Sequence, residues 1–142
     1  MAPMAYALGR RYARPMAAPL PNLDQIDRFA FICESSSCYY QGSPAVREAL
    51  AKATGDHACP NLAIVRTGCL GLCGAGPAVV SYPAGDVHLR VEPTDAAELA
   101  KQLATGAPLA RRAVRAPQWY RDQITQRLGY FVQLLKRRQQ PA

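Results

Sequence analysis

Apolar and polar positions divide the chain into strand-like and helix-like segments. Arg28–Cys33 (RFAFIC) is aromatic and β-branched, as is typical of a buried strand. A helix is expected next, with Ser43 as its N-cap, Pro44 as its first residue and Gly55 as its end. Leu62–Arg66 then predicts a second strand. A strand, a helix and a strand within roughly forty residues predict a βαβ unit with parallel strands and a right-handed crossover.

Two further strands are expected in the middle of the chain. The apolar run Ala78–Tyr82 directly follows Pro77. Val87–Val91 (VHLRV) alternates in the way of a half-exposed strand, which predicts that His88 is exposed. Between these runs, Pro83-Ala-Gly-Asp86 predicts a turn.

A second helix is expected to begin at Pro93-Thr94-Asp95, with Thr94 as its N-cap. Leu99 and Leu103 would face the sheet, and Gly106 would end the helix. The resulting order β-α-β-β-β-α, with helices against a mixed sheet, is the thioredoxin-like arrangement. We therefore predict an α/β fold in residues 28–106.

Two extensions flank this predicted domain. Residues 1–27 predict an extended or flexible N-terminal arm, because residues 1–22 are rich in Ala, Pro, Met and Arg and contain no acidic residue. Residues 107–142 predict a basic linker and an amphipathic C-terminal helix. The apolar stripe of that helix consists of Tyr120, Ile124, Leu128, Phe131 and Leu135.

The sequence leaves open what this C-terminal stripe contacts. It can pack on the protein's own domain, dock into a partner subunit, or lie on an anionic membrane surface, as basic amphipathic helices do. Almost all of the formal net charge of +7 belongs to residues 107–142, where Asp122 is the single acidic residue. Nucleic-acid binding is not expected, because aromatic residues are not interleaved with the basic ones for base stacking.

The five cysteines argue against a closed disulfide framework, since five is an odd number. A hydrophobic fraction of 49% is enough to build a core without such staples, so a reducing compartment is expected. No window approaches eighteen consecutive apolar residues, which argues against a membrane-spanning helix. Cys59 is predicted to be a leftover free thiol, and the neighbouring His57 does not make a metal site by itself.

The other four cysteines form two closely spaced pairs. Cys33 and Cys38 (C-x4-C) follow the first predicted strand, and Cys69 and Cys73 (C-x3-C) follow the second. Parallel neighbouring strands deliver both pairs to the same edge of the sheet, where ligands bind in open α/β folds. The second pair lies in a Gly-rich loop, whose backbone N–H groups can approach a bound group closely.

Four thiolates on two adjacent loops can enclose one compact inorganic centre. The spacings of four and three residues favour a [2Fe–2S] cluster over a structural zinc ion, which prefers C-x2-C knuckles. Zinc, redox-active thiols and merely buried thiols remain the alternatives. A thiol–disulfide enzyme would be expected to carry a C-x2-C pair, which this sequence lacks.

From about Arg28 to Gly106 the chain resembles the thioredoxin-like [2Fe–2S] ferredoxins. CESSSC and Ser43 match the spacing in the equivalent domain of the small iron–sulfur subunit of respiratory NADH dehydrogenase. TGCLGLCGAGPAVVSYPAG looks like the cysteine loop, strand and turn of the free-standing ferredoxins. By this resemblance the cluster ligands are Cys33, Cys38, Cys69 and Cys73, and Pro77 occupies the position of the cis-proline of thioredoxin-like folds.

Several residues around the predicted cluster have expected roles. Amides of the Gly68–Gly76 loop are expected to donate hydrogen bonds to sulfur. The Ser35–Ser37 run is expected to be a solvated loop rather than a set of donors. Tyr39 and Tyr40 can shield the cluster or mediate docking, but core packing of one of them is the simpler expectation.

The sequence thus predicts a one-electron carrier rather than an enzyme. We expect an electron-transport protein that is an accessory subunit of, or electron donor to, a larger oxidoreductase complex, with a cytoplasmic location that includes the cytoplasmic face of a membrane complex. A redox protein is the expected partner, a homodimer is left open, and nucleic acid is not expected. The rival is a non-redox adaptor that holds structural zinc or unmetallated thiols and binds partners through its basic tail.

Overall fold

The structure, a computed structural model, describes residues 23–56, 61–72 and 74–139. Its helices and strands are β1 Arg28–Cys33, α1 Ser36–Tyr40, α2 Ser43–Asp56, β2 Leu62–Thr67, β3 Val79–Tyr82, β4 Val87–His88, α3 Ala96–Thr105, β5 Ala113–Val114 and α4 Gln118–Gln139. Short 3-10 turns cover Leu23–Gln25 and Pro93–Asp95. Within the described ranges, none of the helices has the length and apolar character needed to cross a membrane.

The strands form one mixed sheet in the order β2-β1-β3-β4-β5. β1 and β2 are parallel, with Arg28 opposite Leu62 and Cys33 opposite Thr67. The remaining neighbours pair in antiparallel fashion. The predicted βαβ unit and the α/β, thioredoxin-like mixed sheet are therefore confirmed.

The central strand β1 divides the core into two apolar clusters. Phe29, Phe31 and Cys33 belong to one cluster, while Ala30 and Ile32 belong to the other. This alternation follows from the two-residue period of a strand, which sends successive side chains to opposite faces. The sheet is therefore covered on both faces, which explains why consecutive residues of β1, from Phe29 to Cys33, are apolar.

Helices α2 and α3 cover one face of the sheet. Val46 and Leu50 of α2 are buried there, and so are Leu99 and Leu103 of α3. The prediction that Leu99 and Leu103 face the sheet is confirmed. Gly106 ends α3 in the left-handed region at φ +88°, as the sequence indicated.

Helix α4 covers the opposite face. Ile124, Leu128 and Val132 are buried there, and the ring of Phe131 packs edge-on against Phe31 at a centroid distance of 5.9 Å. Of the three predicted contacts of the C-terminal stripe, the structure shows packing on the protein's own domain. Buried apolar residues from the end of the predicted arm, Leu23 and Ile26, join the same cluster.

Strand β4 is shorter than predicted, and the expectation that His88 is exposed is wrong. The chain leaves the strand after His88 and adopts a left-handed conformation at Arg90 (φ +54°). The His88 ring is fully buried: Nδ1 lies 3.3 Å from the Val79 carbonyl, and Nε2 accepts the Leu109 N–H at 3.1 Å. Burial lowers the pKa of His88 and favours the neutral ring. Alternation along the sequence could not reveal this packing, because Leu109 is distant in the chain.

Both predicted N-caps are wrong. Ser43 is the first residue of α2, and its buried Oγ has no hydrogen-bond partner among the described residues. At the second helix, Asp95 rather than Thr94 is the N-cap of α3, and Glu92 caps the preceding 3-10 turn, where its N–H donates to Asp95 Oδ2 at 2.8 Å. The predicted end at Gly55 is close, since α2 ends at Asp56.

Candidate metal centre

The first two cysteines lie where β1 ends. Cys33 is the last residue of β1 and Cys38 lies in the short helix α1, and both side chains are buried. Cys69 follows the end of β2 at Thr67 by two residues. Because β1 and β2 are parallel neighbours, these three cysteines lie at the same edge of the sheet.

The sulfur of Cys33 has hydrogen-bonding neighbours within the first pair and the second loop. The Ser35 hydroxyl lies 3.1 Å from it. Burial raises the pKa of Cys33, but hydrogen bonds with the Ser35 hydroxyl, the backbone amides of Ser35 and Leu70, and Cys38 outweigh burial and lower it. Cys38 and Leu70, the residue that follows Cys69, therefore both lie close to Cys33 sulfur. A lowered pKa favours the thiolate, which is the form in which cysteine ligates metals.

Gly76 allows the second loop to approach the first pair closely. A Cβ added at this position would lie 2.5 Å from Cys38 Sγ and 3.3 Å from its Cβ. No larger residue fits there without displacing the thiol or the loop. The expectation that glycine permits close folding around the thiols is met at this residue.

The Gly-rich loop directs amides toward sulfur and toward α1. Gly71 donates its N–H to Cys69 Sγ at 3.3 Å, which agrees with the predicted role of the Gly68–Gly76 amides. Gly74, which follows Cys73 in the sequence, donates its N–H to Ser37 Oγ at 3.3 Å. Gly71 and Gly74 both have positive φ, so the loop conformation depends on glycine.

Helix α4 contacts the backbone of this loop from the other side. The Tyr120 hydroxyl donates to the Leu70 carbonyl at 2.6 Å, and Arg127 Nη2 donates to the Cys69 carbonyl at 2.9 Å. The pKa of Tyr120 is raised, mainly by burial. The charge of Arg127 lowers it, and the charges of Cys33 and Cys69 raise it. The sequence placed Tyr120 only in an apolar stripe and indicated neither contact, because the contacting residues are 50 and 58 positions apart in the chain.

Two expectations about neighbouring residues are wrong. The Ser35–Ser37 run is not simply a solvated loop. The Ser35 hydroxyl contacts Cys33 sulfur, and Ser37 Oγ accepts a hydrogen bond from the Gly74 N–H. Neither Tyr39 nor Tyr40 packs in the core: their exposed fractions are 55% and 86%. The short α1 buries Cys38 and turns the next two residues outward.

Three residues that the sequence analysis singled out, Cys73, Cys59 and His57, lie outside the described residues. In the part of the chain that the structure describes, no three His, Cys, Asp or Glu side chains form a group that could hold a metal ion. The residues that are described fit a sulfur-ligated group: they supply buried thiols, amide donors to sulfur and a glycine cradle. Their assignment as ligands stays a prediction.

Searches with known proteins gave one kind of match. No protein-family model and no curated protein matched the chain. Among solved structures, the wild-type thioredoxin-like [2Fe–2S] ferredoxin from Aquifex aeolicus is 26% identical, with a TM-score of 0.59 over 64% of this chain and 99% of the ferredoxin. A second structure of a thioredoxin-like [2Fe–2S] ferredoxin from that organism is 28% identical, with a TM-score of 0.59 over 65% and 96%.

A cysteine-to-serine variant of the same ferredoxin matches equally well, at 28% identity and a TM-score of 0.58. The Gly76–Pro77 peptide bond is cis, which agrees with the position expected for Pro77 by analogy with thioredoxin-like folds. The sheet order, the cysteine-bearing edge and these matches lead to one conclusion: this chain resembles the thioredoxin-like [2Fe–2S] ferredoxins in both structure and sequence.

Proposed function

We propose that this protein is a one-electron carrier that holds a [2Fe–2S] cluster through Cys33, Cys38, Cys69 and Cys73. The observation that carries the proposal is the meeting of the two cysteine segments at one edge of the sheet, where Cys33 and Cys38 are buried and Gly76 of the second loop lies directly against Cys38 Sγ. The similarity to thioredoxin-like [2Fe–2S] ferredoxins supports an electron-transfer role rather than catalysis. When bound, such a cluster accepts and releases one electron.

The chain's own residues would control this exchange through burial and hydrogen bonding. Cys33 and Cys38 are buried, whereas Cys69 is exposed. A centre held between them would therefore be shielded on one side and close to the surface on the other. Amides directed at sulfur, such as that of Gly71, stabilise negative charge on the ligands.

A larger oxidoreductase complex remains the proposed partner. Tyr39 and Tyr40 follow Cys38 directly and are exposed, so they offer an aromatic contact next to the proposed centre. The last turn of α4 adds the basic residues Lys136, Arg137 and Arg138. Attachment through the apolar stripe of α4 is not needed for this proposal, since that stripe is used within the domain. The cytoplasmic location also stays a prediction.

Optical and EPR spectra of the purified protein, before and after dithionite, test the electron-carrier proposal. We expect a red-brown protein whose visible absorption bleaches on reduction, gives a one-electron EPR signal and returns on reoxidation. A colourless protein that contains zinc would contradict the proposal and favour the adaptor function. A coloured protein that cannot be reoxidised would contradict the carrier role while leaving the cluster in place.

The partner proposal needs a separate test, because a cluster protein can serve many acceptors. We expect the tagged protein to co-purify at low salt with a redox subunit, and Tyr40→Ala to weaken that association at least severalfold. Tyr130→Ala is the matched control, since Tyr130 is also exposed but lies on α4. Equal retention by both variants would contradict a docking role for Tyr40.

A further inference from the structure

The second cysteine loop is held by the C-terminal helix α4. Tyr120 is in the first turn of α4 and Arg127 lies two turns later. The two side chains bond consecutive carbonyls of the loop, those of Leu70 and Cys69. Because both bonds go to the backbone, they fix the path of the loop without competing for the thiols.

The two contacts differ in character. The Tyr120 bond is short, at 2.6 Å, and the ring is half-buried beside Gly71, where an added Cβ would lie 3.9 Å from Tyr120 Cε2. The Arg127 bond, at 2.9 Å, is exposed and places a permanent positive charge on the carbonyl of a proposed ligand residue. The first contact is therefore a positional restraint, whereas the second adds an electrostatic effect.

The packing of α4 makes this support rigid. Ile124 lies between the two contacting residues in sequence, Leu128 directly follows Arg127, and both are buried against the sheet. Leu70 itself is buried in the same apolar cluster. The helix is thus anchored on the domain and on the loop at once.

We propose that Tyr120 and Arg127 are positioning residues for the Cys69 loop, and that the charge of Arg127 raises the reduction potential of the cluster held there. This inference rests on the proposed function, because it requires the [2Fe–2S] centre. A nearby positive charge favours the reduced state, which carries one more negative charge than the oxidised state.

The potential is tested with a charge-removing variant and a matched control. Arg127→Gln should lower the midpoint potential, shifting the equilibrium between oxidised and reduced protein by about two- to tenfold, where tenfold corresponds to about 59 mV for one electron. Arg137→Gln removes the same charge about 15 Å further along α4 and should change the potential much less. The difference between wild type and Arg127→Gln should shrink in 1 M salt, because exposed charges are screened.

The positional role is tested by release of iron to a chelator. Tyr120→Phe should release iron about two- to tenfold faster, as expected for the loss of one hydrogen bond, while keeping the same fold by far-UV circular dichroism. Tyr130→Phe is the control, because Tyr130 is exposed on the same helix. Arg127→Lys should have a midpoint potential close to that of wild type, since it keeps the charge, but should release iron faster than wild type.

Distinct outcomes separate this inference from the proposed function. A colourless wild-type protein overturns both. A coloured protein in which Arg127→Gln and Arg137→Gln have the same potential overturns the electrostatic part. Equal rates of iron release from Tyr120→Phe, Tyr130→Phe and wild type overturn the positional part.

Discussion

The two faces of the sheet are both covered by apolar side chains and helices, but they contribute differently to stability and to the proposed site. On one face, α2 and α3 close an apolar layer around Ala30 and Ile32. On the other, α4 packs on Phe29 and Phe31 in a cluster that also contains Cys33 and Cys38. The comparison indicates that the first face contributes mainly stability, whereas the second face combines stability with support of the proposed metal centre.

The largest expected effect on iron binding comes from substitution of Gly76, which lies directly against Cys38 Sγ. Gly76→Ala places a Cβ 2.5 Å from Cys38 Sγ, so the variant should lose most of its bound iron. Gly68→Ala is the control in the same loop, because a Cβ there meets nothing within 4 Å. The measurement is iron content and visible absorbance per chain. Wild-type loading of the Gly76→Ala protein would show that the close approach does not matter.

A matched pair of core truncations tests the difference between the faces. Leu50→Ala and Leu128→Ala each remove a fully buried side chain, so each should lower the free energy of unfolding by about 2–5 kcal/mol. Only Leu128→Ala should also accelerate iron release under native conditions, because Leu128 anchors α4. Denaturant midpoints and chelator kinetics provide the two measurements. Equal acceleration in both variants would contradict the division of roles.

An ion-pair cluster at the start of α3 gives a smaller effect. Asp95 accepts hydrogen bonds from Arg111 and Arg112, which tie α3 to the segment before β5. Asp95→Asn should cost about 2 kcal/mol in the free energy of unfolding and leave the visible spectrum unchanged. Glu98→Gln is the control, since that carboxylate is exposed although it also contacts Arg111. A changed visible spectrum in the Asp95→Asn protein would contradict the separation of the two faces.

The same carboxyl group should make the protein sensitive to acid. Burial raises the pKa of Asp95, but the Glu92 N–H and the two arginines outweigh it and hold the pKa below its usual value. The stabilisation is therefore fully present above the unfolded pKa of about 3.9 and is lost as pH falls through the folded pKa. Acid unfolding of Asp95→Asn should start from a lower stability and show a shallower dependence on pH below about 4. An unchanged acid profile would contradict this role of Asp95.

His88 is expected to give the smallest effect, over a different pH range. Its folded pKa is lowered by burial, so the neutral form is favoured in the folded state and the stabilisation is present above the unfolded pKa of about 6.5. As pH falls below that value, stability should decrease by up to about 1.4 kcal/mol per pH unit. Urea unfolding at pH 7.5 and 5.5 measures this change, and His88→Asn should flatten it. Parallel profiles of the two proteins would contradict the assignment.

Local patterns in the sequence predicted the elements but not the contacts between them. The apolar run at Arg28–Cys33 and the stripe on α4 predicted a strand and a helix, since each reflects one backbone period. The burial of His88 depends on Leu109, and the support of the Cys69 loop depends on Tyr120 and Arg127. These contacts join positions far apart in the chain, where no local signal distinguishes a bonded side chain from a solvated one.

For the site as well, the sequence predicted where the cysteines lie but not the contacts around them. The cysteine spacing and the Gly-rich loop indicated where thiols gather, and the structure brings Cys33, Cys38 and the Cys69 loop to one sheet edge. The hydroxyl of Ser35 against Cys33 sulfur and the exposure of Tyr40 both follow from the short helix α1, which sequence reasoning did not predict. A five-residue helix leaves too little periodicity to be recognised.

The most direct test of the central claim is a count of iron and acid-labile sulfide per chain in protein purified without oxygen, for wild type and for single Cys→Ser variants. We expect two irons and two sulfides in wild type, and a sharp loss of iron or an altered spectrum for substitution of Cys33, Cys38, Cys69 or Cys73, but not of Cys59. A wild-type protein without sulfide, or one whose iron content is unaffected by replacing Cys33 and Cys69, would contradict it.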